Sequence, residues 1–213
     1  MFDSKGYKAE FGSEIAADDI SLTPVNEGIP DGYKYSSNDA PMIVSSDAEN
    51  NIINVYFVKD DFGYTVKYWA DGKVFDSKGY KAEFGSEITA DDISLTPVNE
   101  DIPDGYKYSS NDAPMIVSSD AENNIINVYF VKDEFGYTVK YWADGEVFDS
   151  KGYKAEFGSE ITADDISLTP VNEDIPDGYK YSSNDAPMTI TSNPANNIVN
   201  VYYVKDDFGY TVK

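Results

Sequence analysis

The sequence contains no cysteine, no histidine and no arginine. Without cysteine and histidine, the chain has neither disulfide bonds nor the nitrogen and sulfur ligands that zinc and copper prefer. The same absence excludes the Ser-His-Asp and Cys-His arrangements on which many hydrolases depend. The composition therefore argues against a disulfide scaffold, a transition-metal centre and a triad-based enzyme.

Long apolar runs are also missing, because no stretch approaches the roughly 20 residues that a membrane helix requires. The N-terminus has no basic segment followed by an apolar run, as a signal peptide would have. The 39 acidic residues outnumber the 16 lysines and give a net charge of −23, which repels nucleic-acid phosphates and anionic membrane surfaces. We expect no nucleic-acid partner and no membrane insertion, and we expect any export signal or wall anchor to lie outside residues 1–213.

A long internal repeat is the dominant feature that the sequence does have. The run FDSKGYKAEFGSEI begins at Phe2, Phe75 and Phe148, so the period is 73 residues. A unit of this length can bury a small core of its own. If each unit starts at YTVK, residues 1–63 are repeat 1 without its first strand, residues 64–136 and 137–209 are the complete repeats 2 and 3, and residues 210–213 begin a fourth repeat.

Strand patterns dominate each unit. In repeat 2, alternation and turn residues predict a hairpin of residues 64–69 and 74–84, followed by strands near 106–109, 115–118 and 125–131. In the last strand, Ile126, Val128 and Phe130 share the predicted core face. Thr89 resembles the N-cap of a short helix within residues 86–95.

These patterns predict an α+β, mostly β fold. We expect tandem small domains, each with about five strands and one short helix, joined by short connectors into an elongated rod. Ig-like β-sandwich repeats are the alternative.

Three segments carry a resemblance to a known family. YTVKYWADG, IPDGYKYSS and MTITSNPANNIVNVYYVK resemble the mucin-binding (MucBP-type) repeats of Gram-positive cell-surface adhesins, and the resemblance covers the whole repeat. It implies a β-grasp-like fold with parallel first and last strands, extracellular display on a cell-wall-anchored protein, and attachment to mucin or other host glycans. Its motifs are strand and turn patterns, and no residue pattern fixes a sugar site.

Two functions follow as expectations. The first is a non-enzymatic stalk or spacer region of a bacterial surface adhesin. The alternative is weak binding of mucin or other host glycans by each repeat, multiplied by the tandem arrangement.

Aromatic side chains are the main candidates for ligand contacts, because the chain has 18 tyrosines and 2 tryptophans and sugar rings stack on exposed aromatic faces. Trp69 and Trp142 have the strand parity of Lys67 and Lys140, which predicts partial exposure. Cross-strand packing is the alternative role for such residues. The predicted ligand-binding set is Trp69, Trp142, Tyr68 and Tyr141.

Carboxylates near the hairpin turn are the candidate metal ligands, since calcium prefers hard oxygen atoms. The predicted calcium ligands are Asp71, Asp76, Asp144 and Asp149. Acidic pairs elsewhere are interpreted as solvated surface rather than as the two carboxylates of a glycosidase. Lys67 and Asn127 lie on the first and last strands, where an isopeptide bond would join them, but their parity places both on the solvent face.

The connectors and the C-terminus predict contacts beyond a single repeat. Phe62 and Phe135 lie in the connectors, and we expect them to pack between repeats or, alternatively, in their own repeat's core. The segment Tyr210-Thr211-Val212-Lys213 repeats the start of the first strand that repeat 1 lacks. An unfilled edge invites a strand from another chain, so these four residues predict head-to-tail self-association.

Overall fold

A computed structural model describes residues 3–213, so the first two residues of repeat 1 lie outside the described part of the chain. The chain divides into two compact units. The first unit holds residues 3–69, 74–99 and 110–128, and the second holds Ala70–Lys73, Glu100–Ser109 and Tyr129–Lys213. The first unit therefore contains all described residues of repeat 1, and the second contains all of repeat 3.

Strands are the main regular structure of every repeat. Repeat 1 contains β1 (Glu14–Ile15), β2 (Tyr33–Asn38), β3 (Met42–Ile43) and β4 (Val55–Lys59). The next strands are β5 (Asp61–Ala70), β6 (Lys73–Glu83), β7 (Glu87–Ile88), β8 (Tyr106–Asn111), β9 (Met115–Ile116) and β10 (Ile125–Lys132). The last are β11 (Glu134–Ala143), β12 (Glu146–Glu156), β13 (Glu160–Ile161), β14 (Tyr179–Asn184), β15 (Met188–Thr189) and β16 (Ile198–Lys205). The strands predicted for repeat 2 are confirmed, and only Asp60 and Asp133 separate one repeat's last strand from the next repeat's first.

Repeat 3 forms a four-stranded mixed sheet in the order β12, β11, β16, β14. The first and last long strands, β11 and β16, are parallel neighbours at its centre, from the pair Thr138 and Ile198 to the pair Ala143 and Tyr203. The outer strands β12 and β14 are antiparallel to them. The predicted parallel pairing of first and last strands is confirmed, and the strand order of repeat 2 is the same.

The predicted hairpin turn joins β11 to β12. Asp144 and Gly145 have φ values of 50° and 84°, and Asp71 and Gly72 in repeat 2 have 48° and 72°. Two positive φ angles match the right-handed twist of the flanking strands, which is why Asp-Gly suits the turn. The register of the hairpin then shifts between Tyr141 and Trp142.

Helical structure within residues 3–213 is limited to single 3₁₀ turns. They are Ala17–Asp19, Ala48–Asn50, Ala90–Asp92, Ala163–Asp165 and Pro194–Asn196. The helix predicted within residues 86–95 is therefore wrong in length, although Thr89 is its N-cap residue. No helix of the described chain is both long and apolar enough to cross a bilayer.

Local hydrogen bonds explain why this turn does not extend. The Asp92 carboxylate accepts from the Thr89 backbone N–H at 2.9 Å and from its hydroxyl at 2.6 Å. Ile93 is already extended, and the Ser94 hydroxyl donates to the Thr96 carbonyl at 2.7 Å. Such side-chain bonds compete with helix formation. In repeat 1, Ala16 stands at the position of Thr89, and its backbone N–H donates to the Asp19 carboxylate.

One face of the repeat 3 sheet carries the core. Its buried residues are Tyr137, Val139, Tyr141, Ile161, Ile166, Ile190, Val199, Val201 and Tyr203. They come from alternate positions of the strands and from the loops that cover that face, as expected when one side of a sheet is buried.

Candidate functional site

The repeat junction is built on a glycine of one repeat and a phenylalanine of the next. Gly32 has a φ of +80°, and a Cβ placed there would lie 2.3 Å from Cγ of Phe84. The Phe84 ring also contacts Tyr33 and Phe62, with centroid distances of 6.3 Å and 6.0 Å. Only glycine permits both this backbone angle and so close an approach of the ring.

Backbone hydrogen bonds continue the junction through Asp60. The Asp60 N–H donates to the Gly32 carbonyl at 2.9 Å, and the Phe84 N–H donates to the Asp60 carbonyl at 2.8 Å. The Lys34 ammonium lies 2.6 Å from the Asp60 carboxylate and lowers the pKa of that group. Ser119 adds a hydroxyl bond of 2.7 Å to Asp31. Repeat 1 and repeat 2 are thus joined by main-chain, ionic and aromatic contacts.

The second junction repeats this arrangement. A Cβ at Gly105 would lie 2.2 Å from Cγ of Phe157, whose ring is 6.2 Å from Tyr106 and 6.1 Å from Phe135. Asp133 bridges Gly105 and Phe157 through two backbone bonds of 2.8 Å. The Lys107–Asp133 ion pair and the hydroxyl bond from Ser192 to Asp104 also recur, at 2.6 Å and 2.8 Å. Two junctions with the same contacts indicate a property of the repeat itself.

The structure places Phe62 and Phe135 at these junctions, each against the ring that reaches the preceding repeat. Sequence reasoning missed that ring, which is Phe84 in repeat 2 and Phe157 in repeat 3. A signal was present, since Pro-Asp-Gly and Phe-Gly-Ser-Glu both recur with the period. Nothing local indicates that the two motifs meet.

On the solvent face of each sheet, a tryptophan, an asparagine and an aspartate are linked by side-chain hydrogen bonds. Trp142, which is half-buried, donates from Nε1 to Oδ1 of Asn200 at 2.7 Å, and Asn200 donates from Nδ2 to Asp185 at 2.7 Å. Trp142 pairs in register with Tyr202, which is 38% exposed. Trp142 and Tyr202 are therefore neighbouring, partly exposed aromatic residues on this face.

The equivalent tryptophan of repeat 2 has the same partners. Trp69 donates to Asn127 at 2.7 Å, and Asn127 donates to Asp112 at 2.7 Å. The Asn127 side-chain amide is therefore hydrogen bonded to a tryptophan and to a carboxylate. The isopeptide bond considered from the sequence would instead join this amide to Lys67.

Tyr68 and Tyr141 lie in the core rather than on the ligand-facing surface that the sequence predicts. Both side chains have 0% exposure, and their hydroxyls donate to the carbonyls of Ser94 and Ser167, each at 3.0 Å. A ring without exposed surface offers no face to a sugar. Of the predicted ligand-binding set, only Trp69 and Trp142 are accessible.

Asp76 and Asp149 act as acceptors for backbone amides. The Asp149 carboxylate accepts from the N–H groups of Val171 and Asn172 at 2.7 Å and 2.9 Å, and from the Asn172 side chain at 2.9 Å. Burial alone would raise its pKa, but these bonds outweigh burial and lower the pKa to about 2. Asp76 accepts the equivalent bonds, and its pKa is also about 2.

Asp71 and Asp144, in the hairpin turns, are bound by different groups. The Tyr106 hydroxyl donates to Asp71, and this bond raises the pKa of Tyr106 to about 12. Asp144 accepts from the Tyr179 hydroxyl and lies 3.0 Å from the Lys205 ammonium. No three acidic side chains converge on a metal position within residues 3–213. This arrangement does not suit the predicted calcium site, because N–H, O–H and ammonium donors occupy the four carboxylates.

A buried asparagine lies just before the last strand of each complete repeat and donates a hydrogen bond to the first strand. Sequence reasoning missed this residue. Asn197 has 0% exposure. Its Nδ2 donates to the Gly136 and Thr191 carbonyls at 3.1 Å and 2.8 Å, while Oδ1 accepts from the Thr191 N–H at 2.9 Å. Asn124 makes the equivalent bonds to Gly63 and Ser118.

No protein-family model matches the chain, and no curated protein matches it significantly.

Proposed function

We propose that the chain is a non-enzymatic, extracellular repeat region of a cell-wall-anchored bacterial adhesin, in which the repeats act as a stalk or spacer. The observation that carries this proposal is the recurring junction of Gly32 with Phe84 and of Gly105 with Phe157. A spacer must hold successive domains together through short connectors, and Asp60 and Asp133 are each hydrogen bonded to both neighbouring repeats. The recurrence of the same contacts at both junctions supports a regular connection between successive repeats.

We infer a β-grasp-like fold for each complete repeat. A mixed sheet with parallel first and last strands at its centre and antiparallel strands outside supports it for repeat 3. An Ig-like sandwich would require two packed antiparallel sheets. Loops with 3₁₀ turns take the place of the helix that would cover the sheet.

Small-angle X-ray scattering in dilute solution tests the stalk. A compact protein of 213 residues has a radius of gyration of about 17 Å, and an extended array must exceed that value clearly. Replacing Phe84 and Phe157 by alanine should broaden the distance distribution, since both junctions lose their ring. Phe208→Ala is the matched control, because that phenylalanine is 73% exposed. A radius near the compact value, or equal effects of the variants, contradicts the proposal.

Glycan binding is the second candidate function, and the adjacent Trp142 and Tyr202 favour it. An array of mucin and other host glycans, probed with the whole chain, should then show saturable binding. Replacing Trp69 and Trp142 together by alanine should abolish the binding, whereas phenylalanine at both positions should retain part of it by keeping an aromatic face. Absence of binding to every glycan, or equal binding by the alanine variant, contradicts this function.

A further inference from the structure

The first and last long strands of each complete repeat form a parallel pair at the centre of the sheet. In repeat 3, β11 and β16 are paired from Thr138 beside Ile198 to Ala143 beside Tyr203. Because the two strands are parallel, the chain enters both at one end of the sheet and leaves both at the other end. Tension that pulls the start of β11 away from the end of β16 therefore slides the strands past each other. The evenly spaced hydrogen bonds between them must then break together.

Short connections transmit tension on the chain directly to this pair. Asp133 is the only residue between β10 and β11, so no slack segment separates the last strand of repeat 2 from the first strand of repeat 3. After β16, the Asp206 N–H donates to the Gly178 carbonyl at 2.8 Å, and the Asp206 carboxylate lies 2.6 Å from the Lys180 ammonium. These contacts hold the chain to the sheet where it leaves β16. Tension is thus applied at the two ends of the strand pair.

Asn197 joins the two strands at the end where they begin. The Thr138 N–H donates to the Asn197 carbonyl at 2.9 Å, and Asn197 Nδ2 donates to the Gly136 carbonyl at 3.1 Å. Sliding pulls Gly136 and Asn197 apart along the strand direction, so it stretches these bonds at the same time. Asn197 has 0% exposure, and water therefore cannot replace the bonds while they lengthen.

Core side chains oppose the same movement. Val139 lies beside Val199 and Tyr141 beside Val201, and all four residues have 0% exposure. A shift of one residue between the strands would move these side chains to the solvent face. The next register that keeps them buried is therefore two residues away, or about 6.6 Å. A shorter slide breaks the existing hydrogen bonds and forms no new pairing in their place.

We propose that each complete repeat bears tension, because its parallel first and last strands resist a pull along the chain. Repeat 2 has the same strand order; Thr65 donates to the Asn124 carbonyl at 2.9 Å, and Asn124 donates to the Gly63 carbonyl at 3.1 Å. Forced unfolding is governed by the unfolding rate rather than by the free energy of unfolding. A small domain of modest thermodynamic stability can therefore resist tension. This function goes beyond spacing, and it rests on the proposed stalk only because a stalk transmits tension.

Optical tweezers test whether the resistance depends on the pulling direction. The full chain is held by DNA handles on two introduced cysteines, since the sequence has none of its own. Handles at Glu134→Cys and Asp207→Cys slide the two strands, whereas handles at Glu134→Cys and Asn196→Cys pull both strands from the end where they begin, so that the bonds open one after another. All three positions are exposed. At equal pulling speed, the sliding direction should need about twice the force or more, and each direction should release roughly 200 Å of chain.

Two asparagine variants, pulled in the sliding direction, test which contacts bear the tension. Asn197→Ala removes the side chain that donates to Gly136, and it should speed forced unfolding about tenfold or more. The matched control is Asn172→Ala, which removes a side chain that donates to Asp149 and Ser150 on the outer strand β12. Contacts that are still intact when the central pair breaks do not affect the unfolding rate, so this variant should change it by about threefold or less.

Either of two results would overturn the proposal. The first is an equal unfolding force in both pulling directions, which leaves the strand pair unchanged and so decides the question even if Asn197→Ala does not fold. The second is an equal unfolding rate of the Asn197→Ala and Asn172→Ala variants. Scattering separates these failures from that of the stalk: an extended chain with equal forces is a stalk that does not bear tension, and a compact chain with direction-dependent forces contradicts only the stalk.

Discussion

A methyl group added at Gly105 tests how tightly the second junction is built. Alanine there must adopt a φ near +80°, which costs about 1–2 kcal/mol for an L-residue. Its Cβ would also lie 2.2 Å from the Phe157 ring, and forcing such a ring aside costs about 1–3 kcal/mol. Gly105→Ala should therefore destabilise the junction by roughly 2–5 kcal/mol.

Gly178→Ala is a matched control within the same chain. Gly178 has a φ of +82°, but its Cβ would meet only one atom of Phe208, at an ordinary distance of 3.8 Å. In dilute solution this variant should be destabilised only by the cost of the positive φ angle, about 1–2 kcal/mol. The difference between the two variants isolates the contact between the methyl group and the Phe157 ring.

Hydrogen exchange measures the two junction sites separately. The Asp133 amide donates to Gly105 and the Asp206 amide donates to Gly178, both at 2.8 Å. Peptides carrying Asp133 can be distinguished by mass, because Glu134 stands where the other connectors have aspartate. At 1.4 kcal/mol per factor of ten, local opening should speed exchange roughly 30-fold to several-thousand-fold in Gly105→Ala and roughly 5- to 30-fold in Gly178→Ala. Equal acceleration of the two amides would refute the packing of Phe157 on Gly105.

Two further predictions concern the polar groups of repeat 3. The pKa of Asp149 falls from 3.8 to about 2 in the fold, so its stabilisation is complete above pH 4 and is lost as the pH falls towards 2. Asp149→Asn should lower the melting temperature at neutral pH and lessen this acid dependence; melting curves from pH 2 to 7 check it, and an unchanged pH profile contradicts it. Asn197→Ala should destabilise the chain by about 3 kcal/mol in denaturant unfolding, because it removes the buried side chain that donates to the Gly136 and Thr191 carbonyls. The exposed Asn196→Ala should stay within about 0.5 kcal/mol, and equal effects would contradict the role of Asn197.

The elements of each repeat could be predicted from sequence because their signals are local. The alternation of apolar and polar residues predicted the strands. Asp71-Gly72 predicted a turn that requires two positive φ angles. The predicted core face of β10 is confirmed by the burial of Ile126, Val128 and Phe130. The predicted helix failed, because local bonds such as that from Thr89 to Asp92 stop the turn after three residues.

The roles of single side chains depended on contacts between distant parts of the chain. Strand parity put Tyr68 and Val66 on one face, but only the loop that carries Ser94 shows that this face is sealed. The sequence predicted the Asp76 carboxylate as a calcium ligand. In the structure this carboxylate accepts hydrogen bonds from Asn99, which lies 23 residues away along the chain. The sequence by itself determined the period, the strands and the turns, since these depend on neighbouring residues. The tertiary structure alone decided that Phe84 would rest on Gly32, because that contact exists only once two separately patterned repeats have packed together.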